Sequence, residues 1–128
     1  MTEPSPPFDY LSLEDVLEIA AGVIDAPVVR DLGLLQSAVI RPRMTVFGAD
    51  AYPTFAEKAA ALMQSIARNH ALIDGNKRLA WAATRVFCLL NDTDLAYHVD
   101  DAEQLVLAVA QGSIDLAGIA PGLREHLT

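Results

Sequence analysis

The chain has 128 residues, 52% hydrophobic and 20% charged, a length and composition that suit one domain with a real core and exclude a disordered chain. Seventeen acidic residues against nine basic ones leave a net charge of −8 with no basic stripe. Direct nucleic-acid binding, which depends on phosphate contacts from cations, is therefore disfavoured.

Met1–Tyr10 carries Glu3, Asp9 and three prolines. It has neither the basic nor the apolar stretch of a signal peptide, and it reads as a flexible tail before a single domain over residues 11–128. Ser12 can cap a helix to about Asp25, with Leu13, Val16, Leu17, Ala20 and Ile24 on one face. Ala26-Pro27 ends it. A second helix from Val28 or Asp31 to Ile40 uses Leu32, Leu35 and Val39, and Arg41-Pro42 stops it. Residues 43–53, with Gly48, Asp50 and Pro53 around Val46 and Phe47, read as a turn-rich excursion or short hairpin. Thr54-Phe55-Ala56-Glu57 is a capping box opening a long helix to about Asn69, with Ala59, Leu62, Met63 and Ile66 at helical spacing. Asn76–Leu90 is a central helix with Leu79, Ala83, Val86, Phe87 and Leu90 on its apolar face. Leu95–Val99 is short and extended. Asp100 and Glu103 form a second capping pattern for a helix to about Gln111, and Asp115 caps a last helix interrupted or restarted at Pro121. The expected fold is all-α, about six helices with one short hairpin.

No apolar run approaches the roughly 18 residues of a membrane span, so no membrane association is expected. Cys88 is the single cysteine, in an apolar run. It is expected to be a buried structural thiol, and its isolation fits a cytoplasmic location.

The chemistry concentrates in His70-Ala71-Leu72-Ile73-Asp74-Gly75-Asn76-Lys77-Arg78. The stretch joins two helices and ends at a helix N-terminus, where unpaired N–H groups and partial positive charge favour an anion such as phosphate. His70 suits a general base for a hydroxyl nucleophile, an effect of about 10²–10⁴-fold. Asp74 can hold a hard cation that phosphate also binds, or cap the following helix. Gly75 supplies a turn and lets phosphate approach. Asn76 can cap the helix or bind phosphate, and Arg78 offers a planar fork for phosphate oxygens. Arg68, two residues before His70, can reach phosphate or cap a helix end.

This stretch resembles the signature of the Fic/Doc superfamily, His-x-Phe-x-(Asp/Glu)-(Gly/Ala)-Asn-(Gly/Lys)-Arg, with Leu72 in the place of its Phe. Lys77 aligns it with the Doc (death on curing) toxin branch of toxin–antitoxin systems. The Fic branch has Gly there and a second Arg three residues after the motif Arg, where this chain has Trp81.

The resemblance implies ATP as substrate, Mg²⁺ held by Asp74, and phosphate contacts from Gly75, Asn76, Lys77, Arg78 and Arg68. It implies transfer of the γ-phosphoryl group to a protein hydroxyl, with elongation factor Tu as target and translation arrest as outcome. Residues 43–53 then correspond to the family's target-docking flap, with Val46 and Phe47 as contacts. Self-restraining Fic enzymes carry (Ser/Thr)-x-x-x-Glu-(Gly/Asn), and this chain does not: Thr54 has Lys58 at the matching offset. A cognate antitoxin with a disordered segment is therefore the expected partner. The alternatives are a Fic-type adenylyl- or nucleotidyltransferase and an inactive antitoxin-binding module.

Overall fold

The computed structural model describes residues 8–128. Its elements in chain order are α1 (Leu13–Val23), α2 (Leu32–Ile40), a 3-10 turn (Arg41–Arg43), β1 (Thr45–Val46), β2 (Ala49–Asp50), α3 (Phe55–Asn69), α4 (Asn76–Leu90), α5 (Val99–Gln111) and α6 (Leu116–Glu125). The fold is all-α with one antiparallel hairpin, as the sequence implies.

α3 lies at the centre and packs against α2, α4, α5 and α6, while α1 covers α4 and α2. Its alanines explain this place. Ala56, Ala59, Ala60, Ala61 and Ala67 are all buried, so neighbours approach its backbone closely on several sides. Leu62, Met63 and Ile66 fill the gaps between them. From α4, Leu79, Ala83 and Phe87 enter the same core, as the 3.6-residue spacing requires. Leu90, expected on that face, is 44% exposed because it lies in the last turn, beyond the reach of α3. Leu32, expected in the core, is 51% exposed at the first turn of α2, and Ala38 joins Leu35 and Val39 instead.

The helix starts follow local chemistry. Ser12 and Asp15 form a reciprocal capping box at α1. Asp31 and Asp115 accept from the N–H groups of Leu34 and Gly118 at α2 and α6. Thr54 accepts from the N–H of Glu57 at 3.1 Å, and its hydroxyl donates to the Glu57 carboxylate at 2.9 Å. The expected cap at Asp100 and Glu103 does not form. α5 begins at Val99 with His98 at the cap and no side-chain bond there. Asp100 and Asp101 instead lie in the first turn, where their charge meets the positive end of the helix. Pro121 sits inside α6 without ending it.

Of the expected N-terminal tail, residues 1–7 lie outside the described residues. Phe8–Tyr10 are held to the body. Asp9 exchanges backbone hydrogen bonds of 2.9 Å with the Asn91 side chain. Tyr10 stacks on Phe87 at 6.0 Å between centroids, and Phe8 packs on Phe55 at 5.4 Å. Among the described residues no helix is long and apolar enough to cross a membrane.

Candidate active site

The loop between α3 and α4 is over-determined by its neighbours. α3 ends at His70, whose backbone is left-handed at φ 53° and ψ 45°. Such a conformation is uncommon for a residue with a Cβ and needs support. Arg30 supplies it, donating from Nε (3.0 Å) and a terminal nitrogen to the His70 carbonyl. The N–H groups of Arg30 and Asp31 both donate to the Ala71 carbonyl, and Ile73 donates to Val28. Val29 and Leu72 complete a one-rung antiparallel bridge. The segment before α2 is thus an extended partner of the motif loop and not the start of a helix. Pro27 and the β-branched pair Val28-Val29 favour that geometry.

Leu72, in the place of the family's Phe, is 1% exposed and locks the loop into the core. Asn76 binds it from the other side. Its Oδ1 accepts from the Leu72 N–H at 3.0 Å, and its Nδ2 donates to the Leu72 carbonyl at 3.0 Å. Both polar ends of Asn76 are therefore occupied within the loop. It does not cap α4, and its backbone N–H and the second N–H of its Nδ2 make no hydrogen bond among the described residues. The cap position belongs to Gly75, at φ 87° and without a side-chain bond. A Cβ there would lie 2.6 Å from Cδ1 of Ile24, so α1 closes on the loop at a point only glycine fits.

Asp74 is exposed and accepts the Gly75 N–H at 2.9 Å. It makes no cap on α4, whose first intrahelical bond runs from the Leu79 N–H to the Gly75 carbonyl. The N–H groups of Asn76, Lys77 and Arg78 thus have no backbone partner among the described residues and face outward at the positive end of α4. Lys77 is exposed and has no hydrogen bond or ion pair among the described residues. Arg78 makes one long bond, 3.4 Å, to the Val23 carbonyl, and no carboxylate pairs with it.

His70, Asp74, Gly75, Asn76, Lys77 and Arg78 all line one cleft of about 1030 Å³. Its far wall comes from residues that the sequence reading did not single out as site residues. Arg85 of α4 is bidentate to Asp94, at 3.0 and 3.1 Å. That pairing raises the Arg85 pKa and lowers that of Asp94, with the hydrogen bond as the main cause in each. Tyr97 meets Trp81 edge-on at 5.5 Å, and its pKa is raised chiefly by burial. Glu103 lines the α5 side. Trp81 both packs against the core and lines the cleft. Trp81 is marked in the sequence by its offset from the motif; Arg85, Asp94, Tyr97 and Glu103 are not, because they lie outside the motif on separate elements.

Arg68 is not part of this cleft. Its guanidinium lies over Gly112, at the C-terminus of α5, where the negative end of a helix attracts a cation. Val46 and Phe47 are exposed by 54% and 104% at the hairpin tip, away from the core. Phe47 (φ 51°) and Gly48 (φ 80°) form its two-residue turn, both left-handed as a tight hairpin requires.

Among the described residues there is no group of three or more His, Cys, Asp or Glu side chains able to hold a metal by themselves. Mg²⁺ does not need one, since it commonly binds through one or two carboxylates together with substrate phosphates and water. Asp74, exposed beside the free N–H groups of α4, fits that role.

The molecule is an all-α domain with a histidine, a carboxylate and two cations gathered on one cleft at a helix N-terminus. The chain belongs to the Fic/Doc family: residues 10–88 match the sequence model of the Fic/DOC family. It is 52% identical over 118 residues to a Toxin Doc from Mycolicibacterium smegmatis (strain ATCC 700084 / mc(2)155), covering 90% of this chain and 91% of that one.

Proposed function

We propose that the chain is the toxin of a toxin–antitoxin pair and transfers the γ-phosphoryl group of ATP to a hydroxyl of a protein target, elongation factor Tu. The observation that carries this reading is the position of His70, Asp74, Lys77 and Arg78 on one cleft at the unpaired N-terminus of α4. The relative's name, Toxin Doc, supports the toxin role and a cognate antitoxin.

In this reading the N–H groups at the start of α4 bind phosphate oxygens, and Arg78 adds its fork. Lys77 fills the space where a glycine would leave an anion pocket, and it places its charge on the transferred group. Asp74 holds Mg²⁺, which neutralises charge on the phosphates when bound. His70 takes the proton of the acceptor hydroxyl as that oxygen attacks the γ-phosphorus; the bond to the β-phosphate oxygen breaks and ADP departs in line on the far side. Positioning and charge stabilisation supply most of the rate. The hairpin tip docks a segment of the target by strand addition through Val46 and Phe47.

Purified protein, incubated with a cell lysate and either γ- or α-labelled ATP, tests the reading. Label from the γ position alone supports phosphotransfer. Label from the α position favours nucleotidyl transfer, and label from neither leaves an antitoxin-binding module.

A further inference from the structure

Lys58 takes no part in the site, yet it is 0% exposed, in the second turn of α3 among Ala56, Ala59 and Leu62. Withdrawing an ammonium from water costs several kcal/mol unless its partners are well placed, and a methionine would fill the same space. Its partners are specific. Nζ donates to the Pro42 carbonyl at 3.3 Å and to Asp50 Oδ2 at 3.3 Å. The rings of Phe8 and Tyr10 lie 5.8 and 6.0 Å from it.

Asp50 closes the base of the hairpin, opposite Thr45. The hairpin has only two rungs, and all four strand residues are exposed. Little else sets its angle to the body. The neighbouring tie, from Arg41 to the Tyr52 hydroxyl (2.8 Å) and Ser65 Oγ (3.0 Å), holds the chain on either side of the hairpin and not the strands. Among the described residues the Lys58–Asp50 ion pair is thus the side-chain hydrogen bond that links β2 to α3.

We infer that Lys58 is a positioning residue: its ion pair with Asp50 fixes the hairpin against α3 at the angle from which Phe47 and the open strand edge engage the acceptor protein. This rests on the reading of the hairpin as the docking element. The charge is kept in the interior because an apolar side chain would fill the space without specifying that angle.

Two variants and two readouts test it. Lys58→Met removes the charge and keeps the bulk; Asp50→Asn removes its half-exposed partner without touching the core. The first readout is hydrogen exchange at the Ala51 N–H, which donates to the Met44 carbonyl at 2.9 Å below the last rung. Both variants should speed it about tenfold while amides of α3 and α4 stay unchanged. The second is transfer kinetics. The KM for the acceptor should rise about tenfold, with kcat and the KM for ATP within about twofold of the parent, and Lys58→Arg should recover most of the loss. Faster exchange with an unmoved acceptor KM would reduce Lys58 to a structural role and overturn the inference. So would unchanged exchange in Asp50→Asn, which decides the matter if Lys58→Met does not fold. A parent that transfers no label at all would sink the proposed function, while the exchange arm would still decide whether Lys58 anchors the hairpin.

Discussion

His70 is held in a left-handed conformation by its carbonyl bonds to Arg30, so the candidate base is placed by backbone and not by its own ring. His70→Ala should therefore leave the loop in place. Transfer should fall by about 10²–10⁴-fold while ATP affinity stays within a few-fold, because a base acts on the acceptor hydroxyl. Titration calorimetry with ATP and a label-transfer assay check the two halves; a variant with nearly full activity would remove His70 from the mechanism. Gly75 makes the opposite case, a residue whose importance is steric. Its φ of 87° and the 2.6 Å approach of Ile24 to a built Cβ leave no room for a side chain. Gly75→Ala should cost about 1–3 kcal/mol in urea unfolding, through strain and displacement of α1. Restoring space with Ile24→Val should recover part of that loss, and no recovery would mean that strain alone is responsible. At Lys77 the question is chemical. Lys77→Gly with Trp81→Arg should lower γ-transfer and admit nucleotide in the adenylyl-transfer sense, read by α-label. A crystal of the parent with ATP already lying in that sense would reverse the branch assignment.

At the scale of elements, the site is two loops and a helix end. The Val28–Asp31 segment pairs with Ala71–Ile73, and Asn76 clamps Leu72 from within α4. Asn76→Ala removes both bonds to a half-buried peptide and should cost about 1–3 kcal/mol. It should also lower transfer, since the free N–H groups lose their aim; thermal unfolding and label transfer measure the two effects, and an unchanged melting point would show that the clamp is dispensable. Helix positions were legible in the sequence because Ser12, Asp31, Thr54 and Asp115 announce starts and the apolar spacing names the buried face. The His70–Arg78 loop was legible because its chemistry is contiguous. The extended pairing at Val28–Asp31 was not, because a two-residue β bridge leaves no periodic pattern. Nothing in the sequence marks Arg30, because its partner is the His70 carbonyl, 40 residues away in the chain. Of the two places open to Arg68, the structure shows the helix end, at Gly112 of α5, because closeness to His70 in the chain does not decide which way a side chain on a helix points.

Across the whole molecule, the core also buries a titrating group on α4. Cys88 is 0% exposed, as its apolar run implies, and burial, with a smaller effect of Asp94, pushes its thiol up to about 12. The folded state therefore favours the neutral thiol. Below about pH 8.5, the ordinary thiol pKa, both states hold the proton and the full contribution is present. As pH rises past that value the unfolded chain ionises and the folded chain does not, so stability is lost progressively until about pH 12. The loss from this one group approaches about 1.4 kcal/mol per pH unit once the unfolded thiol is fully ionised. Tyr97, also raised, acts in the same direction at higher pH, so a variant is needed to isolate the thiol. Cys88→Ala should be less stable at pH 7, by about 1 kcal/mol for the lost packing, but should decline less steeply between pH 8.5 and 10.5. Tyr97 is present in both proteins and cancels in the difference. Urea midpoints for the two proteins across that range measure the slopes. Parallel slopes would mean that Cys88 titrates alike in both states, and so that the core around this residue of α4 opens to solvent without unfolding.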